Sequence, residues 1–305
     1  MSVSKAQIKL VRSLQQKKYR DELGLFVAEG DKCVEELQKG FELLYLYREG
    51  ENATRVEIEQ MSGLQTPQGT IGVFRKLSEV SHQKSAIRSQ PSEVRSQKSE
   101  VRSQKSEVRS QKSEVSRQKS EGGDNLILVL DGVQNPGNLG TIIRTCDWFG
   151  VHEIICSPDT ADCYNPKVVQ ATMGALVRVR VHYTDLTEWL SAISRQNSDV
   201  RIYGTLLDGE DMYEVFQKSE VSSQKSAVSS QKSEVSRQKS EVRSQPSVVI
   251  MGNEGNGISE EVRRLVTHPI RIPSYPKDVE TSESLNVAIA TAVVLAEHRK
   301  VKSEK

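Results

Sequence analysis

The sequence predicts an α/β protein: a mostly parallel sheet with helices on both faces, preceded by a smaller α/β domain. Three observations predict it. From residue 122 onward, apolar runs of strand length alternate with stretches of helical period, the signature of βαβ units. Before residue 78 a shorter set of helices and strands stands by itself. Two tracts of different composition, 78–121 and 217–247, punctuate the chain. It therefore divides into a domain at 1–77, a repeat linker at 78–121, and a second domain at 122–305 that the tract 217–247 interrupts.

The elements follow in order. Ser4 is placed to cap a helix, with Gln7 completing a capping box and Ile8, Val11 and Leu14 on one face. LFVAEG (25–30) reads as a strand. Asp31 starts a helix that turns Val34 and Leu37 inward and that Gly40 ends. LLYLY (43–47), a helix near 55–62 and TIGVF (70–74) complete the first domain. In the second, strands are expected at 126–131, 153–157, 177–181, 201–207, 248–251 and 269–272. Helices are expected near 139–149, 166–173, 185–195, 258–266 and 284–298. In such sheets ligands gather beyond the carboxyl ends of the strands.

The tracts repeat SEVRSQK and SEVSSQK, and both contain SQPS. One Val per seven residues offers no second apolar seam for a coiled coil. Ser, Gln, Lys, Glu and Arg cannot bury enough apolar surface to offset chain entropy, so both tracts are expected as disordered or loosely helical insertions. Net charge is +1 overall, but the tracts contribute +4 and +3, leaving the rest near −6. Any nucleic-acid surface must then be a local patch. Lys5, Lys9, Arg12, Lys17, Lys18 and Arg20 all precede the first acid, Asp21, and form the best candidate. Cys33, Cys146, Cys156 and Cys163 show no paired spacing and are expected as free thiols. Neither HExxH nor a Cys/His cluster occurs, so no metal site is expected. The longest apolar runs fall short of the roughly 18–20 residues of a membrane span, and no signal-peptide core opens the chain. Together these predict a cytoplasmic protein.

Three stretches carry chemistry. After the strand ending at Asp131, Pro136 and Gly137 force a turn, Asn138 can cap the next helix, and Arg144 lies two turns into it. After VVIM, Gly252-Asn253-Glu254-Gly255-Asn256-Gly257 lets backbone approach a ligand closely. Its glycine order is not that of a dinucleotide fold, and no P-loop lysine follows. Glu254 could hold Arg144 or Asn135, or simply face a helix dipole. Finally, Ile272-Pro273 closes a strand, and Ser284-Leu285-Asn286 opens a helix whose Val287, Ala288, Ala290 and Val293 form a small apolar face.

These stretches, LDGVQNPGNLGTIIRTCDWFG (130–150), VVIMGNEGNGIS (248–259) and IPSYPKDVETSESLNVAIATAVVLAEH (272–298), resemble motifs 1, 2 and 3 of the SpoU/TrmH family of RNA ribose 2′-O-methyltransferases, in the SPOUT superfamily. The opening IKLVRSLQQKKYRDELGLFVAEGDKCVEEL (8–37) resembles the N-terminal substrate-binding domain of many such rRNA enzymes. The resemblance implies a trefoil-knotted catalytic domain, S-adenosylmethionine as cofactor and a homodimer. It implies catalytic roles for Arg144, Asn135, Glu254, Ser284 and Asn286. It places Thr205, Gly252, Ile272 and Leu285 at the cofactor, while the basic run offers Lys9, Arg12, Lys17, Lys18 and Arg20 as the candidate RNA contacts. Whether Arg144 acts as a base or stabilises a developing alkoxide stays open. The N-terminal domain favours rRNA, most of all 23S rRNA, over tRNA. The alternatives are a tRNA ribose methyltransferase and a non-catalytic RNA-binding protein on the same scaffold.

Overall fold

The computed structural model describes residues 3–77, 126–218, 247–276 and 284–303. Most of both heptad tracts, and most of the stretch before Ser284, lie outside the described residues. Met1–Leu77 and Leu126–Lys305 form one compact unit.

The N-terminal part begins with α1 (Lys5–Ser13), where Ser4 and Gln7 close the expected capping box. Next come α2 (Lys17–Leu23), β1 (Leu25–Glu29), α3 (Asp31–Gln38), β2 (Leu43–Arg48), α4 (Arg55–Met61) and β3 (Thr70–Arg75). A second capping box, Thr54 with Glu57, starts α4. The strands pair antiparallel in the order β1-β3-β2. Side chains alternate across a strand, and β1 uses both faces. Leu25 and Val27 join Val11, Leu14, Ile58 and Met61 beneath α1 and α4. Phe26 and Ala28 join a larger core that continues into the second half of the chain.

That half holds β4 (Leu126–Leu130), α5 (Pro136–Trp148), β5 (Glu153–Cys156), α6 (Pro166–Thr172), β6 (Arg180–Tyr183), α7 (Leu186–Gln196), β7 (Arg201–Asp211), β8 (Ser247–Met251), α8 (Glu260–Arg263), β9 (His268–Arg271) and α9 (Val287–Ser303). The strand order is β6-β5-β4-β8-β7-β9, with every pairing parallel. Leu128, Leu130, Val249 and Met251 face Leu139, Ile142, Val168 and Leu295 of α5, α6 and α9. The intervening Val129, Val248 and Ile250 face Leu186, Leu190 and Val262 of α7 and α8. Both faces are therefore covered, which is why these strands read as continuous apolar runs.

The two parts meet at a buried joint. Arg20 is 1% exposed. Its Nη1 donates to the carbonyls of Leu14 and Gln15, at 2.9 Å each. Its Nε and Nη2 donate to Asp162 Oδ2 at 3.1 and 2.7 Å. This corrects the expectation for Arg20: a guanidinium held on all sides by protein is not part of an RNA-facing surface. Around the joint, the Phe26 ring lies 4.9 Å from that of Tyr164 and 5.1 Å from that of Phe41.

Other expectations shift locally. The stretch expected as a strand from 177 opens instead with a 3-10 turn at Ala175–Val177, set by left-handed Gly174, and pairing starts only at Arg180. α3 stops at Gln38 with Lys39 as its cap, so Gly40 follows the cap as expected, without a left-handed φ. It serves a close approach: a Cβ there would lie 2.7 Å from Val177 Cγ1. The helix expected near 258–266 shortens to α8. β7 runs on through polar residues to Asp211, pairing again with β9 at Glu210 and Asp211. A further helical stretch at 212–218, absent from the sequence expectation, follows it.

Candidate active site

The motif loops gather at the carboxyl ends of β4, β8 and β9. Asp131 Oδ2 accepts from the Ser259 amide at 2.7 Å. The Gly132 carbonyl accepts from Asn253 Nδ2 at 2.6 Å. The first and second motif loops are thus tied together at their roots. Asn253 then folds its own loop, its Oδ1 accepting from the amides of Gly255 (2.8 Å) and Asn256 (3.1 Å). Its backbone exchanges both hydrogen bonds with Gly257. Gly252 permits that closure, because a Cβ there would lie 2.3 Å from Gly257 C.

α5 is capped by Asn135, not by Asn138 as the sequence suggested. Asn135 Oδ1 accepts from the amides of Gly137 (2.8 Å) and Asn138 (3.2 Å). The side-chain oxygen expected to serve chemistry is therefore held in its own turn. Asn138 is released and becomes the junction of all three motifs. Its Nδ2 donates to Glu254 Oε1 at 2.6 Å. Its Oδ1 accepts from Asn286 Nδ2 at 3.1 Å. Asn286 in turn caps α9, accepting from the Ala288 amide at 3.0 Å. Glu254 binds Asn138 and none of the partners first considered for it. Sequence reasoning left Asn138 out of the site. The available signal was Pro136 at the first helical position, which marks the residue before it as the cap.

Arg144 lies six residues beyond Asn138 on α5, exposed, and pairs with no described residue. The close packing of α5 on α6 sets the helix's height. A Cβ on Gly140 would lie 2.5 Å from Ala171 Cβ. Thr205 Oγ1 donates to the Ile250 carbonyl at 3.0 Å, tying β7 to β8. Ile272 is half-buried, just past the end of β9. Ser284 is exposed, and Leu285 is 49% exposed. Far along the chain, Lys9, Arg12, Lys17 and Lys18 are exposed on α1 and α2, without an ion pair among the described residues.

All four cysteines are free and buried. Burial pushes the Cys33 thiol up to about 11 and Cys163 to about 12, so both stay protonated and inert at neutral pH. Among the described residues no group of three His, Cys, Asp or Glu side chains is placed to share a metal ion. No described helix is long and apolar enough to cross a membrane.

Comparison with known proteins places this arrangement. The SpoU rRNA Methylase family model matches residues 125–296, and the MRM3-like substrate binding domain matches residues 5–85. The chain is 28% identical over 169 residues to the 23S rRNA (guanosine(2553)-2′-O)-methyltransferase RlmP of Bacillus subtilis, covering 55% of this chain and 56% of that one. Curated relatives are thus matched over little more than half of their own length. Solved structures match more fully. An AdoMet-bound rRNA methyltransferase from Sinorhizobium meliloti is 25% identical, with a TM-score of 0.65 over 98% of this chain and 97% of that one. A TrmH-family protein from Porphyromonas gingivalis is 30% identical, with a TM-score of 0.68 over 98% of both chains. Motif order, site geometry and these matches agree: the chain belongs to the SpoU rRNA methylase family.

Proposed function

We propose that this protein methylates a ribose 2′-hydroxyl of RNA, with S-adenosylmethionine as donor and 23S rRNA as the substrate class. The observation that carries the reading is the junction at Asn138, which joins Glu254 and Asn286 on the same helix that bears Arg144, a guanidinium no described side chain neutralises. A ribose–phosphate presents an anion and a hydroxyl, and an exposed guanidinium with no described partner, carried by the helix that also holds the polar junction, suits both. Arg144 orients the phosphate and stabilises charge developing on the 2′-oxygen. Asn138, Glu254 and Asn286 hold the three motif loops in register, with Ser284 at the rim. Asn135 serves by capping the helix that carries Arg144.

The residues present fit the cofactor. The 252–257 loop shows bare, closely folded backbone, while half-buried Ile272 and exposed Leu285 offer apolar surface for a purine. Thr205 keeps β7 and β8 in register beneath them. When bound, S-adenosylmethionine supplies an electrophilic methyl group. Catalysis by the chain is then mainly positioning and charge control. The knot and a homodimer built on the catalytic half are part of this proposal, as is a cytoplasmic setting. Lys9, Arg12, Lys17 and Lys18 provide the basic patch for RNA, without Arg20. The N-terminal match to a substrate-binding domain supports rRNA over tRNA.

The test is methyl transfer from labelled S-adenosylmethionine to in vitro transcribed 23S rRNA, 16S rRNA and tRNA, with 2′-O-methyl mapping. Labelling of one 23S nucleotide at its 2′-oxygen is expected. Base methylation, or labelling of tRNA alone, would overturn the reading.

A further inference from the structure

The charges around Arg144 are arranged in a way the site does not explain. Asp147 lies three residues along α5, the spacing at which side chains on a helix are neighbours and opposite charges pair. It does not pair with Arg144. Arg178, just after the 3-10 turn at Ala175–Val177, takes Asp147 in a fork instead. Its Nε donates to both carboxylate oxygens, at 2.8 and 3.0 Å, and its Nη2 donates to Oδ2 at 2.7 Å. Its remaining Nη1 reaches Glu36 Oε2 on α3, at 3.3 Å. Arg178 is thus held between α5, which carries Arg144, and α3 of the N-terminal part.

We propose that Arg178 is a positioning residue for the transfer step: by occupying Asp147 it keeps the Arg144 guanidinium from being captured by its own helix neighbour. The inference rests on the reading of Arg144 given above. A fork geometry suits the task, because two parallel hydrogen bonds fix the carboxylate's direction as well as offset its charge. Without Arg178, Asp147 gains freedom to turn toward Arg144. It also places an uncompensated negative charge where an RNA phosphate must approach.

The test is single-turnover methyl transfer to in vitro transcribed 23S rRNA by the full chain, with cofactor affinity measured in parallel. Arg178→Gln should slow transfer about threefold to tenfold, from the size of helix-neighbour and exposed charge effects, with S-adenosylmethionine affinity unchanged. Asp147→Asn alone should keep the wild-type rate. The double variant Arg178→Gln/Asp147→Asn should recover it to within about twofold, because the competing charge is gone. A purely structural role for Arg178 would lower the unfolding midpoint of Arg178→Gln in step with the rate and restore both in the double variant, so a parallel loss of stability overturns the proposal, as does a double variant as slow as Arg178→Gln or a normal rate for Arg178→Gln. Glu36→Gln removes the third partner and should leave the rate unchanged. An equal loss there would point to the link between layers instead and would also overturn the proposal. Should Arg178→Gln fold poorly, Arg178→Lys keeps the charge but loses the fork. It should give a smaller loss that Asp147→Asn again removes, and no rescue overturns the proposal. Arg144→Ala is the separating control: near-normal turnover there defeats the reading of Arg144 itself, whatever the Arg178 series shows.

Discussion

Two arginines define the two working regions of this molecule. At the joint between the layers, Arg20 is 1% exposed and has its donors spent on Asp162 and two carbonyls. At the motif cluster, Arg144 is exposed and pairs with no described residue. The residue type is the same, though Arg20 sits in the charged run KKYRDE and Arg144 among apolar residues with Asp147 as its nearby charge. Partnership separates them. A guanidinium surrounded by its own protein holds the fold in place, whereas an exposed one with no described partner leaves its donors open to a partner from outside.

The contrast can be broken most forcefully at the joint. Arg20→Ala leaves Asp162 nearly buried and unpaired, and should cost about 3–5 kcal/mol of stability, read by denaturant unfolding. Replacing both partners by apolar residues, as in Arg20→Met with Asp162→Leu, should recover most of that loss. If Arg20→Ala melts like wild type, the joint is not structural. At the other pole, Arg144→Ala should leave the unfolding curve in place while methyl transfer falls about 10²–10³-fold, with S-adenosylmethionine affinity preserved. Arg144→Lys should not rescue, since an ammonium lacks the fork. Loss of cofactor affinity in step with rate would make Arg144 structural and erase the contrast.

Gly252→Ala is a sharper probe of the motif cluster. The new Cβ would lie 2.3 Å from backbone that cannot yield without opening the loop. Cofactor affinity measured by calorimetry should drop at least about tenfold, with a loss of roughly 1–3 kcal/mol in stability from local strain. Unchanged affinity would remove this loop from the cofactor site. The smallest effect is expected from deleting 93–121 and 221–244, whose composition cannot build a core. Melting temperature and methylation should stay within error, and a collapse of soluble expression would show the tracts to be part of the fold.

Much of this was legible before any coordinates. Apolar runs such as LILVL and SVVIM are strands buried on both faces, exposed in the sequence by their short length, β-branched content and flanking turn residues. The capping box at Ser4 and the loops after β4 and β8 are local chemistry and read equally well. What stayed hidden was non-local. Arg20 looked like one more member of a basic run, because nothing in sequence announces a partner 142 residues away. Asn138 was passed over for the same reason, since its partners Glu254 and Asn286 lie 116 and 148 residues away. The polar end of β7 escaped because its pairing with β9 skips residues, and no period survives a skip. The run VRVRV kept its alternation while the backbone turned first, since a period-2 pattern does not say where pairing begins.

β4 and β8 begin side by side, with Leu126 paired to Ser247, and each begins where a heptad tract has just ended. Both foreign sequences therefore rejoin the fold at one rim of the sheet, while the motifs occupy the other, about five residues or 16 Å away along each strand. A parallel sheet thus gives the chain two ends with separate fates. If the tract deletions leave stability and methylation intact, one end should also accept added length: a tag, a fluorophore or a whole module. The opposite end carries the motif loops. For engineering, that makes the junctions before Leu126 and Ser247 the places to test first for tethering this protein to a chosen RNA.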